Sequence, residues 1–86
     1  MPQVELQVRY YASARAAAGT EGETITVPEG ASVADVLSEL RSRHSDQLSR
    51  VFSAASFLLN GVVVRLQSQA VSDGAQLDVL PPFAGG

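Results

Sequence analysis

The sequence predicts an α+β domain in which one main helix packs on one face of a small mixed sheet. Three patterns predict this fold class: strand-like alternation of apolar and polar residues near both ends, a helical apolar stripe between them, and an Asn-Gly turn between β-forming residues. The chain has 86 residues, of which 45% are hydrophobic and 17% charged. This length and composition suit a single packed domain.

The N-terminal part predicts two strands that form a hairpin. Four apolar side chains alternate with polar ones along residues 3–10, which is the period of a half-buried strand. The alanine-rich run 12–18 predicts one or two helical turns ending at Gly19. Residues 24–27 then predict a second strand, which Pro28 and Gly30 end.

The main helix is predicted after Ser32, which is a good N-cap. Asp35 follows three residues later, in the position of a capping box. The helix would bury one stripe with i, i+3, i+4, i+7 spacing, formed by Val33, Val36, Leu37 and Leu40. Residues 47–52 predict a further short helical turn.

The C-terminal part predicts three more strands. Residues 57–59 and 62–64 flank Asn60-Gly61, a strong hairpin signal. After a turn at 72–74, residues 77–79 alternate again as a last strand, which we expect to lie beside the first, and Pro81-Pro82 end it. We therefore expect a domain over residues 1–81 and a flexible Gly-Gly tail over residues 82–86.

Charge and composition exclude several classes of function. The net charge is −3, and the six basic residues are scattered arginines, so nucleic-acid binding is not expected. The absence of cysteine rules out a disulfide or a zinc–thiolate site. No signal peptide and no apolar run of about 20 residues is visible, which predicts a cytoplasmic protein without membrane contact.

Side chains for catalysis are scarce. His44 is the single histidine, and we interpret it as a solvated surface residue that holds no metal. Glu21 and Glu23 are placed in a turn without an acid–base partner. The segment 19–22 lacks the Gly-Lys-Ser/Thr ending of a phosphate loop. The sequence therefore predicts no self-contained enzyme.

The candidate site is the tail itself. Pro82 stiffens the exit from the sheet, and Phe83 is suited to contact a partner. Ala84, Gly85 and Gly86 have the smallest side chains available, so an extended tail could enter a narrow channel. The carboxyl group of Gly86 would be an anion at neutral pH and a nucleophile toward the α-phosphate of ATP.

These features resemble the MoaD family, the ubiquitin-like small subunits of molybdopterin synthase, which belong with the ThiS-like sulfur carriers. The resemblance rests on Asp73-Gly74 with the ending Pro81-Pro82-Phe83-Ala84-Gly85-Gly86, on the segment 9–15 and on Asn60-Gly61. It covers nearly the whole chain. Phe83 stands where the family usually has a smaller aliphatic residue.

The resemblance implies a β-grasp fold and a protein that is not an enzyme on its own. A MoeB/ThiF-like activating enzyme would use ATP to adenylate Gly86, and a sulfurtransferase system would supply sulfur, with no cofactor bound to this chain. The resulting thiocarboxylate would enter a MoaE-like large subunit, with Gly85 as its unhindered neighbour. There it would donate sulfur to precursor Z, cyclic pyranopterin monophosphate, during molybdenum cofactor biosynthesis.

Three alternatives remain open from the sequence. A carrier of the same chemistry could serve thiamine or cysteine synthesis. A ubiquitin-like modifier would join the same carboxyl group to a lysine of a target protein. A non-catalytic interaction module would instead use an apolar patch to which Phe57, Leu59 and Phe83 could contribute. Arg9, Arg65 and Leu59 are candidate contacts with a partner in general, and we interpret them rather as ordinary exposed residues.

Overall fold

The computed structural model describes residues 2–82, which form five strands and three helices. The elements are β1 (Gln3–Tyr10), α1 (Ser13–Ala18), β2 (Gly22–Pro28), α2 (Val33–Arg43), α3 (Asp46–Ala54), β3 (Ser56–Leu59), β4 (Val62–Val63) and β5 (Ala75–Leu80). This order contains every element that the sequence predicts. The predicted α+β class is confirmed.

The strands form one mixed sheet in the order β2-β1-β5-β3-β4. The first and last strands of the sequence, β1 and β5, run parallel at its centre, and the other neighbours are antiparallel. The predicted pairing of first and last strand is therefore confirmed. A parallel pair needs a long crossover, and the segment between β1 and β5 provides it with the helices on one face.

Strict alternation in β1 separates the two faces of the sheet. Val4, Leu6, Val8 and Tyr10 are buried, and the residues between them are exposed. The buried side faces α2, whose predicted stripe of Val33, Val36, Leu37 and Leu40 is wholly buried. The core therefore lies between the sheet and the helices, and the opposite face of the sheet is open.

Local signals set the start of α2 and the β3–β4 hairpin. The amide of Asp35 donates to Ser32 Oγ over 3.2 Å, and the amide of Ser32 donates to Asp35 Oδ2 over 2.9 Å, which completes the capping box. Asn60 and Gly61 have φ angles of 52° and 82°, as a two-residue hairpin turn requires. Both sequence predictions are confirmed.

Several bounds differ from those predicted. β2 begins at Gly22 because its pairing with β1 continues to Arg9, so Glu23 lies in a strand and not in a turn. β4 has two residues, because only Val62 and Val63 pair with β3. α3 extends over nine residues, beyond the single turn that the sequence predicts.

Candidate functional site

The tail begins at the end of β5, a strand that is held on both sides. Val79 pairs with Tyr10 of β1 and with Phe57 of β3, and Leu80 pairs with Ser56. The amide of Tyr11 also donates to the carbonyl of Val79 over 3.3 Å. The point at which the chain leaves the sheet is therefore fixed by both neighbouring strands.

Two prolines follow β5 and form the root of the tail. Pro81 is buried and Pro82 is exposed. Neither has an amide hydrogen with which to extend the ladder, and both have a restricted φ angle, so the strand ends here. Pro82 is the predicted site residue that the structure describes. Phe83, Ala84, Gly85 and Gly86 lie outside the described residues.

The open face of the sheet carries a row of side chains across the central strands. Arg9 pairs in register with Asp78, and Asp78 with Leu58. The Asp78 side chain is largely covered, at 8% exposure of the residue, and its Oδ1 accepts from Gln76 Nε2 over 3.0 Å. This face is therefore polar toward β1 and apolar toward β3.

The exposed apolar residues are not those that the sequence indicates. Phe57 and Leu59 are 5% and 7% exposed, because alternation in β3 directs both into the core. Their predicted contribution to a surface patch is wrong. Val62, Val63 and Leu66 are instead 68%, 54% and 70% exposed, next to the sheet edge formed by β4.

A hydrogen-bonded cluster of Tyr10, Glu23 and His44 lies where the C-terminal end of β1 meets the start of β2 and the end of α2. The Tyr10 hydroxyl donates to Glu23 Oε2 over 2.6 Å, and His44 Nε2 lies 2.6 Å from the same oxygen. The Tyr10 and His44 rings meet edge to face at 6.0 Å. Arg43 Nη1 lies 3.6 Å from Glu23 Oε1.

The surroundings of this cluster shift two protonation equilibria. Burial raises the pKa of the Glu23 carboxyl group, but the hydrogen bonds from Tyr10 and His44 and the nearby positive charge outweigh it, so the pKa falls below its ordinary value. Burial, with the Glu23 carboxylate beside it, raises the pKa of the Tyr10 phenol far above its ordinary value. The cluster therefore favours an ionised Glu23 and a protonated Tyr10.

The cluster corrects the prediction that His44 is a solvated surface residue. Its side chain is 15% exposed, because it packs against Tyr10 and contacts Glu23. Alternation along residues 3–10 places the Tyr10 side chain on the buried face. A buried tyrosine hydroxyl requires a hydrogen-bond acceptor, so the sequence indicates that Tyr10 has a polar partner. Glu23 and His44 are 21 positions apart, and no local pattern indicates that they meet.

The described part of the chain has neither a cluster of metal-ligating side chains nor a membrane-spanning helix. Between residues 2 and 82, no group of three His, Cys, Asp or Glu side chains is close enough to bind a metal ion. Within the same range, no helix has the length and apolar character needed to cross a membrane.

The sequence is similar to a known family and to proteins of known name. The sequence pattern of the ThiS family matches residues 8–86. The chain is 32% identical over 84 residues to the molybdopterin synthase sulfur carrier subunit of Chlamydomonas reinhardtii, a match that covers 96% of this chain and 100% of that protein.

Two solved structures share the fold closely. The putative molybdopterin converting factor subunit 1 of Pyrococcus furiosus has a TM-score of 0.82 and 30% identity, covering 93% of this chain and 99% of that chain. SAMP1 of Haloferax volcanii, a small archaeal modifier protein, has a TM-score of 0.83 and 27% identity, covering 95% and 99%. These likenesses confirm the β-grasp fold and the resemblance to MoaD, and the chain belongs to the ThiS family.

Proposed function

We propose that this chain is the sulfur carrier subunit of a molybdopterin synthase and that Gly86 carries the sulfur as a thiocarboxylate. The observation that supports this most is the full-length match to a relative with that name, together with a family match that runs through Gly86. The protein would be a non-catalytic subunit that works in the cytoplasm.

The chemistry uses the main-chain carboxylate. Its oxygen attacks the α-phosphorus of ATP on a MoeB/ThiF-type enzyme, which forms an acyl-adenylate and releases pyrophosphate. Sulfur at the sulfide level, supplied as hydrosulfide by the sulfurtransferase system, then attacks the acyl carbon, the C–O bond to AMP breaks with AMP as the leaving group, and a thiocarboxylate forms. No side chain of this protein takes part, which agrees with a chain that has no cysteine.

The fold contributes a fixed origin for the tail. β5 is held between β1 and β3, and Pro81 is buried at its end. From Pro82, four residues would span about 14 Å if extended. The last three of these residues, Ala84, Gly85 and Gly86, have small side chains and would form a narrow end of about 10 Å. That end would let Gly86 reach an active site inside a partner while Phe83 and the folded domain stay outside.

The partner that accepts the sulfur would be a MoaE-like large subunit. The name of the relative from Chlamydomonas reinhardtii describes a subunit, which supports a complex of this kind. In that complex the thiocarboxylate sulfur would displace an oxygen substituent from a carbon of cyclic pyranopterin monophosphate and form a thioester. Hydrolysis of that thioester by water would leave the sulfur on the pterin and return Gly86 to a carboxylate.

Intact-protein mass spectrometry tests the proposal. Incubation with a cognate activating enzyme, ATP and a sulfur donor is expected to exchange one oxygen of the protein for sulfur. A Gly86→Ala variant is the matched control, because its added methyl group should obstruct the channel and slow the exchange. If the wild-type protein gains no sulfur with any cognate enzyme, the proposal is wrong.

Protein modification is a second candidate, supported by the likeness to SAMP1 of Haloferax volcanii. The same adenylate would then pass its acyl group to a lysine amine of a target. This chain has no lysine, so it could not extend chains through its own side chains. Higher-mass conjugates in extract that carry an isopeptide bond to Gly86 would favour modification, and sulfur delivery to the pterin precursor would favour the carrier.

A further inference from the structure

β2 is an edge strand with backbone groups directed away from the sheet. Its neighbour on one side is β1, and the sheet ends on its other side. The Tyr10 amide donates to Glu21 and the Glu29 amide donates to Pro2, which fixes the alternation of the antiparallel ladder. By that alternation, the N–H and C=O groups of Thr24 and Thr26 point outward.

A groove runs beside this edge, between β2 and α2. It has a volume of about 510 Å³. Its lining comes from the end of β2 and the following turn, and from two carboxylates of α2: Thr26, Val27, Pro28, Gly30, Ala31, Asp35 and Glu39. A strand added to β2 would direct alternate side chains into this groove, because side chains alternate between the two faces of a sheet.

Acidic residues outnumber basic ones in the segment that forms this edge and the first two turns of α2. Five of the nine acidic residues fall between positions 21 and 39, without a basic residue among them: Glu21, Glu23, Glu29, Asp35 and Glu39. Arg15 and Arg43 form ion pairs with three of these carboxylates, which leaves an excess of three negative charges. The four other acidic residues equal the four other arginines in number, and one of these arginines, Arg9, lies on β1 opposite Gly22, at the start of the β2 edge.

This distribution indicates what the edge binds. A second copy of β2 would bring like charges together, which disfavours self-pairing. A cationic segment would meet complementary charge, and its backbone would pair with Thr24 and Thr26. We propose that β2 binds an extended peptide segment of a partner protein, with lysine or arginine side chains flanking an apolar residue, as an added edge strand.

The proposed surface is separate from the root of the tail. β1 lies between β2 and β5. A peptide that pairs with the outer edge of β2 would therefore form no backbone hydrogen bonds with β5 and would not cover Pro82 by that pairing. The proposal goes beyond the sulfur carrier function and does not depend on it. A partner bound here could hold the carrier while Gly86 is inserted elsewhere.

A peptide titration monitored by amide NMR tests the surface. The probe is acetyl-Lys-Val-Lys-Val-Lys-amide, and the control is the same peptide with glutamate in place of lysine. We expect the lysine peptide to shift the amide signals of Thr24 and Thr26 and to slow their hydrogen exchange. We expect the glutamate peptide to leave them unchanged, and added salt to weaken the binding.

Thr26→Pro removes the outward donor and preserves the ladder to β1, because the Thr26 amide is not part of that ladder. Thr26→Val keeps the amide and is its matched control. Loss of one backbone hydrogen bond should weaken peptide binding by about threefold to tenfold in the proline variant alone. A probe N-methylated on the amides that face β2 tests the same bonds without altering the protein.

Charge is tested separately with the double variant Glu29→Gln, Glu39→Gln, which should weaken binding of the lysine probe by about threefold. Asp46→Asn, at the start of α3, removes a carboxylate elsewhere on the protein and should have no effect.

The proposal is overturned if the lysine probe binds equally well when N-methylated, or if the amide signals that it shifts belong to the open face of the sheet. It is also overturned if both probes bind alike, if neither binds, or if Thr24 and Thr26 shift with protein concentration alone.

Discussion

The root of the C-terminal tail and the cluster of Tyr10, Glu23 and His44 lie at the same end of the sheet. Tyr10 pairs in register with Val79, two residues before Pro81. The two regions are built from opposite kinds of residue. In the cluster, the Tyr10 hydroxyl and His44 Nε2 each lie 2.6 Å from Glu23 Oε2, whereas the tail sequence contains no polar side chain.

The difference shows that titratable side chains do not mark the proposed site in this protein. Perturbed pKa values often cluster at functional sites, but structural networks produce them as well. The groups of this cluster bond to one another and join β1, β2 and α2. The proposed chemistry needs only a terminal carboxylate on a narrow segment. The cluster is therefore best understood as part of the scaffold that supports the tail.

Deletion of Gly86 should have the largest effect. It should abolish the proposed chemistry of the tail and leave the stability of the folded domain, including the cluster, unchanged. The shortened chain ends in Gly85, whose carboxylate would be displaced by one residue, about 3.5 Å, from the position that the activating enzyme requires. We expect thiocarboxylate formation to be lost and the melting temperature to stay unchanged. Mass spectrometry after activation and thermal denaturation measure the two results. A large fall in melting temperature would show that the tail is part of the folded core, and the comparison would fail.

Gly22→Ala should have the opposite result, a loss of stability without a loss of chemistry. A Cβ at Gly22 would lie 2.6 Å from the carbonyl oxygen of Val8, a backbone atom that cannot move without disturbing the β1–β2 ladder. We expect the free energy of unfolding to fall by about 2–3 kcal/mol, as for other forced overpacking. Urea denaturation measures it.

Gly19→Ala is the control for Gly22→Ala. A Cβ at Gly19 meets no atom within 4 Å, but its φ angle of 76° disfavours any side chain. A cost of about 1 kcal/mol is expected there, from backbone conformation alone. If the two variants are equally stable, then the close approach of the Val8 carbonyl oxygen is not what requires glycine at position 22.

Glu23→Gln should have a smaller effect that depends on pH. The pKa of Glu23 is lower in the folded protein than its ordinary value of 4.5, so its stabilisation is fully present above that value and is lost as the pH falls through the folded pKa. At neutral pH we expect the variant to be less stable by about 1–2 kcal/mol, since the hydrogen bonds from Tyr10 and His44 lose a charged acceptor.

Denaturation of the wild-type protein and Glu23→Gln at several pH values measures this dependence. The gap between the two proteins should narrow as the pH falls below 4.5. Glu21→Gln is the matched control, because the Glu21 side chain is 84% exposed and lies 3.8 Å from Arg15, so its gap should be small at every pH. A gap that widens in acid would contradict the depressed pKa of Glu23.

Local patterns predict most of the fold because they act within a few residues. The capping box at Ser32, the stripe on α2 and the Asn60-Gly61 turn each depend on neighbours in sequence, and the structure confirms each. The predicted bounds of β2 and β4 differ from those in the structure, because pairing with a neighbouring strand sets where each strand begins and ends. Pairing is a property of the assembled sheet and leaves little local signal.

For the candidate site, too, the sequence predicts the features that depend on local residues and misses those that depend on contacts between distant elements. The ending of the sequence indicates a sulfur carrier, and the family relationship is confirmed by similar proteins. The position of His44 could not be predicted, since its contact with Glu23 depends on how α2 crosses β2. The sequence does not predict the burial of Phe57 and Leu59, because a run of apolar residues does not reveal which of them faces the core.

Arg43→Gln should have the smallest effect, although Arg43 belongs to the same network as Glu23. Its Nη1 atom is 3.6 Å from Glu23 Oε1, and its Nε atom is 3.3 Å from Glu39 Oε2, but its side chain is 40% exposed. Exposed ion pairs contribute about 0.5 kcal/mol or less, because water screens the charges and the side chain loses rotamer freedom. We expect a loss of that size, measured by urea denaturation at low salt.

High salt should remove most of the Arg43→Gln effect. Arg50→Gln is the control, because the described part of the chain places no carboxylate within ion-pair distance of Arg50, and no loss is expected. A loss for Arg43→Gln as large as that for Glu23→Gln would mean that the guanidinium group, rather than Tyr10 and His44, stabilises the carboxylate. In that case the cluster would owe its stability to one surface charge, and the part-buried hydrogen bonds from Tyr10 and His44 to Glu23 would matter less than their short distances indicate.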